Sequence, residues 1–263
     1  MKDHRPRKRF GQHFLRDQQI IDRIVAAIDP RPDQRLVEIG PGEGVLTRPV
    51  LARAAHIEVV ELDRDLAADL DRRLGQPQGL TIHQADALSF DFTALAGEGK
   101  IRVIGNLPYN ISTPLIFHLL DQADIISDMI FMLQKEVVDR LVAGPGSRQY
   151  GRLSVMAGYY CDMASLFNVG PEAFHPPPKV DSAIIRMVPK PLTEADRDVL
   201  PNLEKVVRQA FGQRRKTLRK SLSGLLTEGQ IQAAGIDPTK RPETLTLDQF
   251  KALANSLPLT PDP

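Results

Sequence analysis

Between residue 20 and about residue 135, short apolar runs alternate with amphipathic stretches, and this alternation constrains the fold more than any other feature. The runs lie at 36–39, 57–62, 80–82, 101–104 and 129–133, with helix-like patterns such as 66–74 and 114–120 between them. Thr113 before Pro114 reads as a helix start, a hydroxyl cap followed by a residue with its φ already set. Strands separated by helices build a parallel sheet covered on both faces. A late strand follows at 182–188, bounded by Pro176-Pro177-Pro178 and by Pro189-Lys190-Pro191. Beyond it the pattern turns helical, at 202–211, 217–226, 230–234 and 247–257. The expectation is an α/β, Rossmann-like domain over 1–189, opening with a basic arm at 1–19, and a small all-helical domain over 190–263.

With 263 residues the chain can bury about 70–75% of its unfolded surface without a disulfide or metal staple. Its single cysteine, Cys161, excludes an intrachain disulfide and reads as a packing residue, and the six histidines show no metal-ligand spacing. No apolar run approaches the ~20 residues of a bilayer span. The basic N-terminus has no apolar segment after it, so a cytoplasmic protein with no membrane association is expected.

Taken alone, a net charge of +1 argues against a nucleic-acid partner, and locating the charges reverses that reading. Residues 1–16 carry +5 and residues 205–220 carry +7 without one acid. These 32 residues hold +12 of a whole-chain total of +1, which leaves −11 for the other 231. The chain is bipolar, and its basic segments suit phosphate contacts that release counterions. Arg7, Lys8, Arg9, Arg214, Arg215, Lys216, Arg219 and Lys220 are the candidate RNA contacts. A solvated face is the plain alternative for either cluster.

The first strand runs into Glu38-Ile39-Gly40-Pro41-Gly42-Glu43-Gly44. Glycines there let the backbone approach a ligand closely. The spacing is GxGxG, whereas a dinucleotide pyrophosphate calls for GxGxxG. Glu61 closes the second strand, placed to accept from a ribose diol, and Asp86 follows the third, placed to accept from an adenine amine. Residues 58–98 hold nine acids against three arginines, which disfavours a pyrophosphate and suits a sulfonium cation. S-adenosylmethionine fits this pattern better than NAD. A glycine turn with unrelated surface acids is the alternative.

The fourth strand ends in Gly105-Asn106-Leu107-Pro108-Tyr109-Asn110. It resembles the [DNS]-[PLI]-P-[YF] motif of methyltransferases that modify exocyclic amines. Adenine N6 delocalises its lone pair into the ring and is a poor nucleophile. Two acceptors, the Asn106 side-chain oxygen and the Leu107 carbonyl, can bind its N–H groups and favour a pyramidal nitrogen. Tyr109 offers a face for an extruded base, a contact worth ~1–3 kcal/mol. Catalysis is then mainly positioning.

Further segments carry a wider resemblance: Lys8-Arg9-Phe10-Gly11-Gln12-His13-Phe14-Leu15, Met132-Leu133-Gln134-Lys135-Glu136-Val137-Val138, Tyr150-Gly151-Arg152-Leu153-Ser154-Val155 and Phe174-His175-Pro176-Pro177-Pro178-Lys179-Val180-Asp181-Ser182-Ala183. Together with the two motifs above, they resemble the ribosomal RNA adenine N6-dimethyltransferase family over nearly the whole chain. The likeness is to its branch acting on small-subunit (16S) RNA. It implies a class I methyltransferase sheet and S-adenosylmethionine held by His13, Leu15, Gly40, Glu61, Asp86 and Asn106. In some relatives Asn stands at the position of His13, so that contact is by side chain or by backbone alone. The resemblance also implies dimethylation of two adjacent adenines in the 3′-terminal hairpin loop and binding to the immature small subunit; the protein is expected to be a monomer. Phe174 is expected as a second stacking face beside Tyr109. Three alternatives remain: a large-subunit RNA dimethyltransferase, a non-catalytic assembly factor and an NAD dehydrogenase.

Overall fold

The computed structural model describes residues 13–213 and 215–258. Arg7, Lys8, Arg9 and Arg214 therefore lie outside the described residues. The chain divides into two compact units, Met1–Val138 with Met163–Pro189, and Asp139–Asp162 with Lys190–Pro263.

The elements of the first part of the chain are β1 (Phe14–Leu15), α1 (Gln18–Ile28), β2 (Arg35–Ile39), α2 (Thr47–Ala54), β3 (Ile57–Glu61), α3 (Arg64–Leu74), β4 (Leu80–Gln84), α4 (Thr93–Ala96), β5 (Ile101–Asn106), α5 (Ser112–Leu120) and β6 (Ile126–Gln134). They are followed by α6 (Lys135–Leu141), α7 (Arg152–Tyr160), β7 (Cys161–Val169), β8 (Phe174–His175) and β9 (Ser182–Pro189). The last are α8 (Glu194–Gly212), α9 (Leu218–Ser221), α10 (Glu228–Ala233) and α11 (Leu247–Asn255).

Seven strands form one sheet in the order β4-β3-β2-β5-β6-β9-β7. Neighbours from β4 to β6 run parallel, and β9 returns antiparallel against β6. The central strands read as continuous apolar runs because both faces are covered: Leu36, Val37, Val59, Ile101, Val103 and Ile104 are all buried. After β2 the chain adds β3 and β4 on one side, then crosses to place β5 on the other. At such a reversal the carboxyl ends of the two strands diverge and leave a crevice. Here those ends are Ile39 and Asn106, each leading into one of the two sequence motifs.

Local chemistry sets the helix starts. Asp17 and Asp63 cap α1 and α3, each side chain accepting from two backbone amides of the first turn. The helix expected to start at Thr113 starts at Ser112, with Ile111 as an N-cap that makes no side-chain bond. Ser112 already turns the chain by donating its hydroxyl to the Tyr109 carbonyl at 3.3 Å.

The second unit is helical except where it contributes the first two residues of β7. Thr193, Thr227 and Thr246 each form a reciprocal capping box with the side chain three residues on, Asp196, Gln230 and Gln249. Its core gathers Val199, Leu203, Val206, Leu222, Phe250 and Leu253. The seam expected near residue 190 is present, but residues 139–162, expected in the first domain, group with the C-terminal helices. The cause is packing of α7 and the residues before it: the Tyr159 hydroxyl donates to the Asp196 carbonyl, and the Tyr150 hydroxyl donates to the Leu245 carbonyl at 2.9 Å. Cys161 is buried, and burial pushes its thiol up to about 12, as suits a packing residue. Among the described residues no helix is long and apolar enough to cross a membrane.

Candidate active site

One cavity collects His13, Leu15, Gly40, Glu61, Asp86, Asn106, Leu107 and Tyr109, residues drawn from widely separated parts of the sequence. All of them lie at or just beyond the carboxyl ends of the parallel strands, or in β1 and the residue before it. Backbone geometry opens this edge. Gly40, Gly42 and Gly44 adopt φ of +66°, +56° and +80°, the left-handed region. Gly105 is needed for a different reason: a Cβ there would lie 2.5 Å from the Ile39 carbonyl, so only glycine lets β5 pass β2 so closely.

Glu61 fixes the loop after β2. Its Oε2 accepts from the Gly42 amide at 3.2 Å and its Oε1 from the Asp63 amide at 2.8 Å. Burial raises the pKa of this carboxyl, and the two backbone bonds oppose the shift. Asp86 is exposed and accepts from the Leu88 amide at 2.9 Å. Leu15 is 1% exposed, so its contribution to the cavity wall is made from within the core.

The described lining includes five carboxylates, Glu38, Glu43, Glu61, Asp63 and Asp86, and no lysine or arginine. Among the described lining residues a pyrophosphate would find no cation, although Glu43 is paired from outside the lining with Arg16 at 2.6 Å and Arg73 at 3.4 Å. A phosphate-free nucleoside carrying a positive charge matches the donor set, with carboxylate acceptors for hydroxyls and an amine.

Around the motif after β5, the Asn106 amide donates through Nδ2 to the His13 carbonyl at 3.3 Å. The Leu107 amide is spent on the Met132 carbonyl at 3.2 Å, and its side chain is buried, so it can offer a ligand only its carbonyl. The Tyr109 hydroxyl meets Ser182 Oγ at 2.7 Å, and its ring stacks beside His13, with centroids 5.8 Å apart and planes 28° apart. His13 Nδ1 meets the Pro176 carbonyl at 2.8 Å.

Three outcomes differ from the sequence expectations. Phe174 is 4% exposed, packs in the core with Leu15 and Ala173, and does not line the cavity. Pairing of β8 with β1 turns it inward, which corrects its expected place as a stacking face. Glu38, not singled out from the sequence, is 2% exposed and lines the cavity. Its carboxyl, pushed up to about 7 chiefly by burial, accepts from the Thr47 hydroxyl at 2.7 Å. Ser182 is visible in the sequence as the end of the Pro-rich segment and the start of a late strand, with nothing local to tie it to Tyr109.

In the second unit Arg215, Lys216, Arg219 and Lys220 lie around α9, with Arg215, Arg219 and Lys220 exposed and Lys216 also exposed. Their backbone is pinned: the Leu218 amide donates to the Lys240 carbonyl at 2.8 Å and the Arg219 amide to the Pro238 carbonyl at 3.0 Å.

The chain matches the family model of ribosomal RNA adenine dimethylases over residues 3–258. It is 58% identical over 254 residues to the ribosomal RNA small subunit methyltransferase A of Methylococcus capsulatus, covering 97% of this chain and 98% of that one. It is 57% identical over 257 residues to the protein of that name from Pseudomonas aeruginosa, covering 97% and 95%. Among solved structures, a dimethyladenosine transferase from Plasmodium falciparum matches with a TM-score of 0.77 at 26% identity, covering 92% of this chain and 96% of that one. The 23S rRNA methyltransferase ErmE matches with a TM-score of 0.73 at 27% identity, covering 93% and 99%.

Proposed function

The chain belongs to the ribosomal RNA adenine dimethylase family, and on that premise we propose that it is the enzyme that dimethylates N6 of two adjacent adenines in the 3′-terminal hairpin loop of 16S ribosomal RNA. The observation that carries this reading is the meeting, in one cavity, of an oriented Asn106 amide and the Tyr109 ring with the acidic, phosphate-averse pocket around Glu61. The small-subunit assignment draws support from 58% identity to a small-subunit methyltransferase, against 27% to a 23S enzyme.

S-adenosylmethionine, when bound, supplies an electrophilic methyl group on a cationic sulfur. Glu61 and Asp86 would hold its ribose and adenine, while the Gly40–Gly44 turn leaves room for its close approach. His13 and Leu15 belong to the same wall. Asn106 and the Leu107 carbonyl accept the two N–H groups of the target amine, which concentrates the nitrogen lone pair for attack. Tyr109 stacks against the extruded base. The amine acidifies as the methyl transfers, so no strong base has to be supplied, and the residues work by orientation. Glu38, held by Thr47 in the cavity wall, adds to the negative potential that favours a cation only once it is ionised, above about pH 7.

Arg215, Lys216, Arg219 and Lys220, with Arg7, Lys8, Arg9 and Arg214, are the proposed phosphate contacts. The substrate is the RNA within the immature small subunit, and the enzyme acts in the cytoplasm as a monomer. The test is transfer of labelled methyl groups to 30S particles from a strain lacking the gene. The expected result is label in 16S RNA and none in 50S particles; label confined to 50S particles contradicts the assignment.

A further inference from the structure

Ser182, the first residue of β9, is fully buried and does not line the cavity, yet its hydroxyl is 2.7 Å from the Tyr109 phenol. Tyr109 sits on the loop after β5, where nothing in the strand itself fixes a side chain. A bond at the far tip of the ring restricts its swing about χ1, while a ring packed alongside restricts its tilt about χ2. The second restraint is His13, stacked at 28° and anchored through Nδ1 to the Pro176 carbonyl. Both restraints lead back to the segment between Phe174 and Ser182, so the end of β9 and the chain before it set the attitude of the ring.

We propose that Ser182 is a positioning residue for methyl transfer, acting through the Tyr109 hydroxyl. The proposal rests on the function assigned above. The Ser182 hydroxyl meets neither cofactor nor base. Its loss lets the Tyr109 ring swing, and a smaller fraction of bound adenines then lies in line for attack. That cost falls on kcat and leaves KM for the methyl donor unchanged, because the donor pocket around Glu61 is untouched.

The test compares Ser182→Ala, Tyr109→Phe and the double variant on 30S particles from a strain lacking the gene, with the melting temperature of each recorded. Each single variant is expected to lower kcat roughly threefold to tenfold, the scale of one neutral hydrogen bond. The double variant is expected to be no slower than the slower single, because both changes remove the same bond. A Ser182→Ala enzyme at the wild-type rate overturns the proposal. So does a double variant whose loss is the product of the two singles, the result a general loosening of β9 would give. If Ser182→Ala does not fold, Tyr109→Phe alone must still show the drop, and a wild-type rate there overturns the proposal. A wild-type enzyme that leaves 16S RNA unmethylated overturns the assigned activity and this role with it; an active wild type with an unaffected Ser182→Ala overturns only the role.

Discussion

The Asn106 side-chain amide donates to the backbone carbonyl of His13 at 3.3 Å, across 93 residues of sequence. Because the nitrogen end is held there, the oxygen end is the one presented as acceptor. The segment before β1 thus helps orient the residue that receives the target amine. Replacing Asn106 by Ala is expected to lower turnover roughly a hundredfold, the scale of a lost alignment at a reacting centre. RNA binding should be nearly unchanged. Single-turnover methylation and filter binding, run on the same preparation, check both halves.

Glu38 gives a pH prediction with a definite sign. Its carboxyl is pushed up to about 7 in the folded protein, from an ordinary value of 4.5. Between those values the folded state holds a proton that the unfolded state has released, so stability falls as pH rises through this window. Below 4.5 the contribution is fully present, and above about 7 it is lost. The total is on the order of 3 kcal/mol. Glu38→Gln keeps an acceptor for Thr47 and removes the titration. Its melting temperature relative to wild type is expected to rise steadily from pH 5 to pH 8 in cofactor-free protein.

Gly105→Ala probes the crevice itself. The new Cβ would stand 2.5 Å from the Ile39 carbonyl, an atom of rigid backbone that cannot turn aside. Forcing the two strands apart is expected to cost about 1–3 kcal/mol, read as a lower midpoint in chemical denaturation with an unchanged slope. Cofactor affinity should fall with it, since Ile39 leads into the Gly40 turn.

Arg215, Lys216 and Arg219 flank a pinned turn on the surface of the second unit. Changing all three to Ala is expected to reduce the slope of log affinity against log salt by roughly 2–3, about one for each phosphate no longer neutralised. An unchanged slope would make these cations a solvated face.

The sheet was legible because its signal is local and repeated. Strands at 57–61 and 101–106 fall on the apolar runs nearly residue for residue, and Glu61 and Asn106 end their strands as the motifs require. What escaped was non-local. Phe174 reads as exposed from its Pro-rich neighbourhood, but pairing with Leu15 of β1, far away in sequence, turns it into the core. Residues 139–162 sit in sequence amid the α/β pattern and join the helical unit only through tertiary bonds such as that from Tyr150 to Leu245. Ser182 and Glu38 gain meaning from burial and from partners that no spacing rule supplies.

The most direct test of the central claim is mass spectrometry of 16S RNA from 30S particles of a strain lacking the gene, after incubation with the purified protein and S-adenosylmethionine. The account predicts N6,N6-dimethyladenosine at two adjacent positions of the 3′-terminal hairpin loop, and its loss with Asn106→Ala. Unmodified adenines at both positions with folded wild-type protein would contradict it.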